Sequence, residues 1–367
     1  MAARQRPPFR ADHVGSLLRP RALKDARAQF ARGAIDAAAL AAVEDREIAR
    51  LVARQEAIGL RAVTDGELRR SWWHLDFLWG LTGVAKHTTN AGVAFAGAAP
   101  RSEGVRVDGR IEFRGHPMLA HYATLAARAR VTPKLTIPAP SALTGRPVLP
   151  PMDAAAYPER DQLYVDLGAA YRAAVNAFAA AGCRYLQLDE VFIAMLCDPK
   201  YRQKMVARGD DPDALLHVYA GLINEAIADI PADMTITLHL CRGNFKSTFM
   251  GEGSYEAVQD VLFNEIGVHG YFMEYDDERS GGFEPLRWLP KHKHVVLGLV
   301  TTKSGVLESN DALRRRIDEA ARCTDLDRLC LSPQCGFAST EEGNLLTEEE
   351  QWAKLTRVVE VAAQVWG

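Results

Sequence analysis

Short apolar runs alternate with longer amphipathic stretches along most of the chain. The runs "FRADHVGS", "GLRAVTDGE", "VTPKLTIPA", "CRYLQLDE", "DMTITLHLC", "VHGYFMEYD", "KHVVLGLVTT" and "DRLCLSPQC" read as β-strands. That is about the eight that close a parallel barrel. Between them the apolar spacing becomes helical. Leu40, Val43, Leu51 and Ile58 lie roughly on one face of a helix that Gly59 stops. Tyr164, Leu167, Tyr171, Val175 and Phe178 form a second stripe, ended by Gly182. Pro212 opens a third, with Leu215, Leu216, Tyr219, Leu222 and Ile223. Ser254 caps a fourth that Gly267 ends, and Thr347 with Glu350 makes the capping box of the last. The alternation predicts an α/β fold, a (β/α)8 TIM barrel.

One stretch breaks the rhythm. "NAGVAFAGAAPRSEG" is loose and rich in small residues, and "VRVDGRIEFRG" sets Asp108-Gly109 between alternating runs. Asp-Gly in that setting is a hairpin signal. The expectation is one barrel domain over 1–367, with a hairpin-containing insertion over 76–130 after the second strand.

Barrel chemistry collects at the C-terminal ends of the strands. The first run ends at His13, Gly15 and Ser16, and the second at Asp65 and Glu67. The fourth ends at Asp189 and Glu190, the fifth at His239 and Cys241, the sixth at Glu274 and Asp276, the eighth at Cys335. Side chains alternate along a strand, so His239 and Cys241 share a face. Imidazole and thiolate form the ligand set that zinc favours. A lone H-x-C more often marks a packed cysteine beside a hydrogen-bonded histidine. Cys335 in "SPQCGF" and Glu274 shift the balance, because they bring four zinc-compatible groups to three strand mouths.

Composition narrows the class. The 367 residues carry 44 basic and 47 acidic side chains, a net charge of -3, and offer no basic signal for nucleic acid. No run reaches the roughly 20 apolar residues that span a bilayer, and the polar start "MAARQRPPFRADH" has no secretion signal. Six cysteines are too sparse for a disulfide framework, which predicts a cytoplasmic protein with reduced thiols.

The motifs "HVGSLLRP", "TDGE", "LDE", "HLCRGN", "FMEYDDERSGGFEPL" and "SPQCGF", in this order, resemble the catalytic half of cobalamin-independent methionine synthase. They are closer to the short, single-barrel, methionine synthase II-like members, and the likeness runs from His13 to Cys335. The resemblance implies one Zn(2+) held by His239, Cys241, Glu274 and Cys335. It implies a homocysteine site built from the Gly15-Ser16 turn with Glu67 and Asp189, which are also the candidate catalytic residues. His13 and Arg242 join the candidate substrate contacts, and Arg242 is a candidate brace for Asp189. The expected reaction is methyl transfer to the thiol of homocysteine or a similar amino-acid thiol. Expected partners are that small thiol and a methyl donor or methyl-carrying protein, with no nucleic acid and no membrane. Self-association is left open.

The chain also departs from the family. Full-length folate-dependent members have an extra N-terminal barrel-like domain, which this chain is expected to lack. They carry a pterin-stacking tryptophan after the third strand, where "TIPAPSAL" has no aromatic residue. They carry a proton-handling histidine after the seventh, where "LGLVTTKSGVLES" has Lys303 and no histidine. The expected donor is therefore not a polyglutamyl methylfolate. Trp72, Trp73, Phe77 and Trp79 are either a buried plug or an aromatic wall for the donor. Two rival readings stand beside the main one. An epoxyalkane:coenzyme M transferase-like enzyme would use a thiol without an amine, against which Glu67 and Asp189 argue. A non-catalytic zinc or amino-acid-binding protein would have a closed metal site.

Overall fold

The computed structural model describes residues 4–88 and 103–367. Its strands are β1 (Ala62–Val63), β2 (Thr82–Thr88), β3 (Glu103–Glu112), β4 (Thr132–Pro133), β5 (Leu135–Pro138), β6 (Tyr185–Glu190), β7 (Thr235–Leu240), β8 (Gly270–Glu274), β9 (His294–Val300) and β10 (Leu329–Pro333). A parallel sheet runs in the order β10-β9-β8-β7-β6-β5. Only Lys134 separates β5 from β4, and β4 pairs in parallel with β1. At the other edge Ala11 bridges Leu331 of β10, also in parallel. The remaining seam is drawn together by the Thr64 hydroxyl, which donates to the Gly15 carbonyl at 2.6 Å. The result is a TIM-barrel-like ring.

Strands β5, β6, β7, β8 and β10 are buried at every position, as expected where helices cover the outside of a parallel sheet. The covering helices include Ala37–Ala57, Arg160–Ala180, Pro212–Ala226, Asn310–Ala321 and Glu348–Trp366. Asp36, Asp211 and Ser309 cap three of them, and the Thr347–Glu350 capping box forms as expected. The stretch opened by Ser254 is broken. It makes a 3-10 turn over Tyr255–Ala257, then a short helix that stops at Asn264 rather than Gly267. The Tyr255 hydroxyl accepts from the Glu274 N–H at 3.1 Å and pins that first turn to β8.

Two further expectations change. The first run makes only the bridge at Ala11, and Pro7 and Pro8 ahead of it have no N–H for a ladder. Asp108-Gly109 is not a hairpin turn but lies inside β3. β3 pairs antiparallel with β2, and the register jumps from Thr82↔Glu112 to Val84↔Val107, so residues 108–111 bulge opposite Gly83. Gly83 has φ +80, and a Cβ there would sit 2.4 Å from the Arg110 carbonyl oxygen. Turn-prone residues thus serve a bulge, which needs the same permissive backbone. Most of the expected small-residue stretch, 89–102, lies outside the described residues. No helix among the described residues is long and apolar enough to cross a membrane. The six cysteines are free thiols.

Candidate active site

The mouth collects the predicted ligand residues. His239 lies in β7 and Cys241 just follows it, Glu274 ends β8, and Cys335 stands two residues beyond β10. One ligand atom from each falls in a set whose members lie within 4.8 Å of one another, all from buried residues. The Cys241 and Cys335 sulfurs are 3.5 Å apart.

Their surroundings set their charge. Hydrogen bonding from Cys241, helped by His239, holds the Cys335 thiol well below the ordinary range. The same contact, together with burial, pushes Cys241 well above it. Burial alone would lower His239, but its contact with Asp189 and the neighbouring Cys335 sulfur outweigh it and raise it to about 10. Asp189 Oδ1 lies 3.2 Å from His239 Nδ1 and accepts from Gln187 Nε2 at 2.7 Å. That contact orients the ring, and His239 Nε2 is buried without a hydrogen-bond partner. Glu274 accepts from the Arg242 N–H at 2.9 Å and from Arg279 Nη2 at 2.8 Å, while burial raises its carboxyl. A soft, buried donor set with an orphaned imidazole nitrogen fits a zinc ion.

The opposite wall is carboxylate. Glu67 follows β1 with φ +58 and is buried. Its Oε1 accepts from Thr136 Oγ1 at 2.8 Å and lies 3.5 Å from Arg70 Nη1, while Oε2 has no partner. Burial raises Glu67 to about 7, with Asp189 adding to the shift and Arg70 opposing it. Gly15 lets the first turn pass this carboxylate: with φ +142, a Cβ would meet Thr136 Cγ2 at 2.6 Å and Glu67 Oε1 at 3.6 Å. Ser16 joins that turn to the Cys335 loop, since its carbonyl accepts from the Phe337 N–H and its hydroxyl lies 3.4 Å from the Ala338 N–H. His13 is buried with both ring nitrogens unpartnered, and burial beside Lys134 lowers it to about 4.

Arg242 differs from expectation. It makes no hydrogen bond to Asp189; its guanidinium lies over the Tyr255 ring at 4.3 Å, fully buried. It enters the site through its backbone N–H on Glu274 rather than through its charge. Glu190 accepts from the Phe192 and Ile193 N–H groups at the start of the next helix, while Asp189 is turned to His239. The "YDDERSGGFEPL" loop is tied down, with Arg279 bridging Glu274 and Asp276 and Lys303 paired to Asp276. The aromatic group divides. Phe77 packs in the core against His116 and Tyr171, whereas Trp73 is half-buried and lies against His74.

Several residues that position the site escaped the sequence reading. Thr136 and Gln187 sit inside apolar-looking strands, where only alternation marks an inward polar group. Asn244 donates to the Gly336 carbonyl at 2.7 Å and ties the β7 loop to the β10 loop. Its place in "HLCRGN" was the available signal.

Residues 9–364 match the model of the catalytic domain of cobalamin-independent synthases. The chain belongs to the cobalamin-independent synthase family. Within it, the chain is 50% identical to the uncharacterized protein YxjG of Bacillus subtilis, over 99% of this chain and 96% of that one. A solved structure from Listeria monocytogenes, named as a candidate vitamin-B12-independent methionine synthase, is 37% identical and covers 99% of this chain and 100% of its own, with a TM-score of 0.80. A B12-independent methionine synthase from Shewanella sp. W3-18-1, solved with selenomethionine, shares the fold at a TM-score of 0.74 and 17% identity, over 97% of each chain.

Proposed function

We propose that this member of the cobalamin-independent synthase family is a zinc-dependent methyltransferase acting on the thiol of homocysteine or a close amino-acid relative, with methionine as the product. The observation that carries the reading is the buried His239–Cys241–Glu274–Cys335 set facing a carboxylate wall. His239, Cys241, Glu274 and Cys335 would hold the ion. A bound zinc lowers the pKa of a substrate thiol and supplies thiolate at neutral pH. Asp189 holds the His239 ring through Nδ1. Glu67 Oε2, buried and unpartnered, is the acceptor offered to a substrate ammonium, with Asp189 beside it. Ser16 and the backbone around it face the carboxylate. The transfer forms an S–C bond, breaks the donor's bond to the same methyl, and releases the thiol proton.

The donor is a compound other than a polyglutamyl methylfolate, because the turn after β5, Pro140–Ala142, presents no aromatic face. Two acids at the amine position favour an amino-acid thiol over a sulfonate thiol such as coenzyme M. The test is methionine formation by zinc-loaded protein with homocysteine and a panel of methyl donors. Methionine from a simple methyl donor supports the reading. Failure to bind homocysteine sinks the thiol assignment. Turnover at about 1 s⁻¹ or faster with methylfolate sinks the donor assignment.

A further inference from the structure

A methyl transfer to a thiol has two substrates, and the residues assigned above serve only the first. Farther along the same loops, the one after β5 carries Arg146 and the one after β1 carries His74. Arg146 Nη2 lies 2.7 Å from His74 Nε2. Arginine can only donate, so Nε2 accepts and the neutral ring carries its proton on Nδ1. His74 is 3% exposed, and Nδ1 has no partner. The pair therefore presents a buried N–H without an acceptor and a guanidinium that meets the neutral His74 ring.

Among the described residues, no carboxylate pairs with Arg146. The groups that act on Arg146 are its own burial and Tyr201. The stretches outside the description, 1–3 and 89–102, contain no aspartate or glutamate. The arginine is not loosely placed, because Arg208 Nη1 donates to the Thr144 carbonyl at 2.8 Å and also to the Arg146 carbonyl. Gly145 is pressed against Phe192, where a Cβ would fall 2.1 Å from the ring. Beside the pair, the half-buried Trp73 ring lies 4.4 Å from the His74 ring, centroid to centroid, tilted by 33°. A held cation with a surplus donor and an aromatic face is a combination that recognises an anionic organic molecule.

We propose that Arg146 and His74 form an anion subsite for the second substrate, a methyl donor that carries a carboxylate or other anionic group and rests against Trp73. The subsite rests on the methyltransferase reading for its role and on its own geometry for its existence. Ser16 is assigned to the amino-acid carboxylate beside Cys335, so Arg146 is left for the donor.

The test is calorimetric titration of zinc-loaded wild type, Arg146→Gln and Arg146→Lys with dimethylsulfonioacetate, monoglutamyl methyltetrahydrofolate, inorganic phosphate and homocysteine. At least one of the two carboxylate donors should bind wild type. Arg146→Gln should weaken it about 10- to 100-fold, the loss expected for one charge-assisted hydrogen bond. Arg146→Lys should retain much of the affinity, and homocysteine should bind all three proteins within about twofold, far less than that loss. Binding of neither donor, binding of phosphate alone, or equal donor affinity in all three proteins overturns the subsite. A parallel loss of homocysteine affinity in Arg146→Gln also overturns it, by placing Arg146 with the thiol. If homocysteine binds none of the proteins, the thiol reading falls, and the response of donor binding to Arg146 still decides the subsite.

Discussion

The barrel interior around Lys134 and the barrel mouth around Glu67 are both buried and charged, yet they handle burial in opposite ways. In the interior, Asp12 accepts from the His13 N–H, Lys134 Nζ, the Phe9 N–H and the Tyr185 hydroxyl. Lys134 also donates to the His13 carbonyl at 2.6 Å and lies over the Tyr185 and Phe272 rings. At the mouth, Glu67 Oε2 and His239 Nε2 have no partner. An unmet buried polar atom costs about 1–3 kcal/mol. A protein that satisfies one polar cluster and leaves another open a few residues away spends stability where a ligand can restore it.

The largest effect should come from removing a ligand to the proposed ion. Cys335→Ser should lose most of the metal that wild type holds at about one zinc per chain, while circular dichroism stays unchanged. Metal analysis decides, and equal zinc in both proteins breaks the contrast, because the thiols would then be ordinary core.

Breaking the interior pair should act on stability alone. Lys134→Met leaves Asp12 buried without its cation, a loss of about 3–5 kcal/mol. Urea unfolding should report that loss, and the folded fraction should keep its zinc. A cost below about 1 kcal/mol, the scale of an exposed pair, would show that the interior is no better satisfied than the surface.

The carboxylate wall offers a finer division. Glu67→Gln should weaken homocysteine binding by about 2–5 kcal/mol, the scale of a lost desolvated ionic contact, with zinc affinity unchanged. Asp189→Asn should weaken both, since it also orients His239; losing such an outer partner costs about 10- to 100-fold in metal affinity. Chelator competition and calorimetry separate the two. Identical behaviour of both variants would erase the distinction between wall and metal side.

The smallest effect is in pH. The Glu67 carboxyl stands at about 7 in the folded chain, above its ordinary 4.5, mainly through burial. Its contribution to folding is complete below 4.5 and is lost as pH rises through 7. An ammonium ligand needs the ionised form, so the sign for binding is reversed. Methionine, which has no thiol to titrate, should bind more tightly at about pH 8 than at about pH 6, with a proton released on binding at the lower value. Glu67→Gln should flatten that dependence. A slope that survives the substitution would assign the titration to another group.

Much of this was legible in order along the chain. Alternation of apolar runs with 3.6-residue stripes marked the barrel. His239, Cys241, Glu274 and Cys335 were readable because four zinc-compatible residues fall at three strand ends, although each alone has an ordinary reading. Asp108-Gly109 misled because turn and bulge ask for the same backbone freedom, and only the partner strand decides between them. Arg242 misled as a brace for Asp189, because adjacency in sequence does not fix which group a long side chain meets; its guanidinium lies over the Tyr255 ring.

The sequence by itself determined the periodicities, the caps and the chemical types at the strand ends, since these depend on neighbours a few residues apart. The tertiary structure decided which polar atoms are satisfied. That Asp189 turns to His239 and that Lys134 is matched by Asp12 depend on residues 50 and 122 positions apart, and that Arg146 meets no carboxylate among the described residues is readable only in the fold. Hydrogen bonding and desolvation act over a few ångströms of space, and only the fold determines which residues lie within that reach.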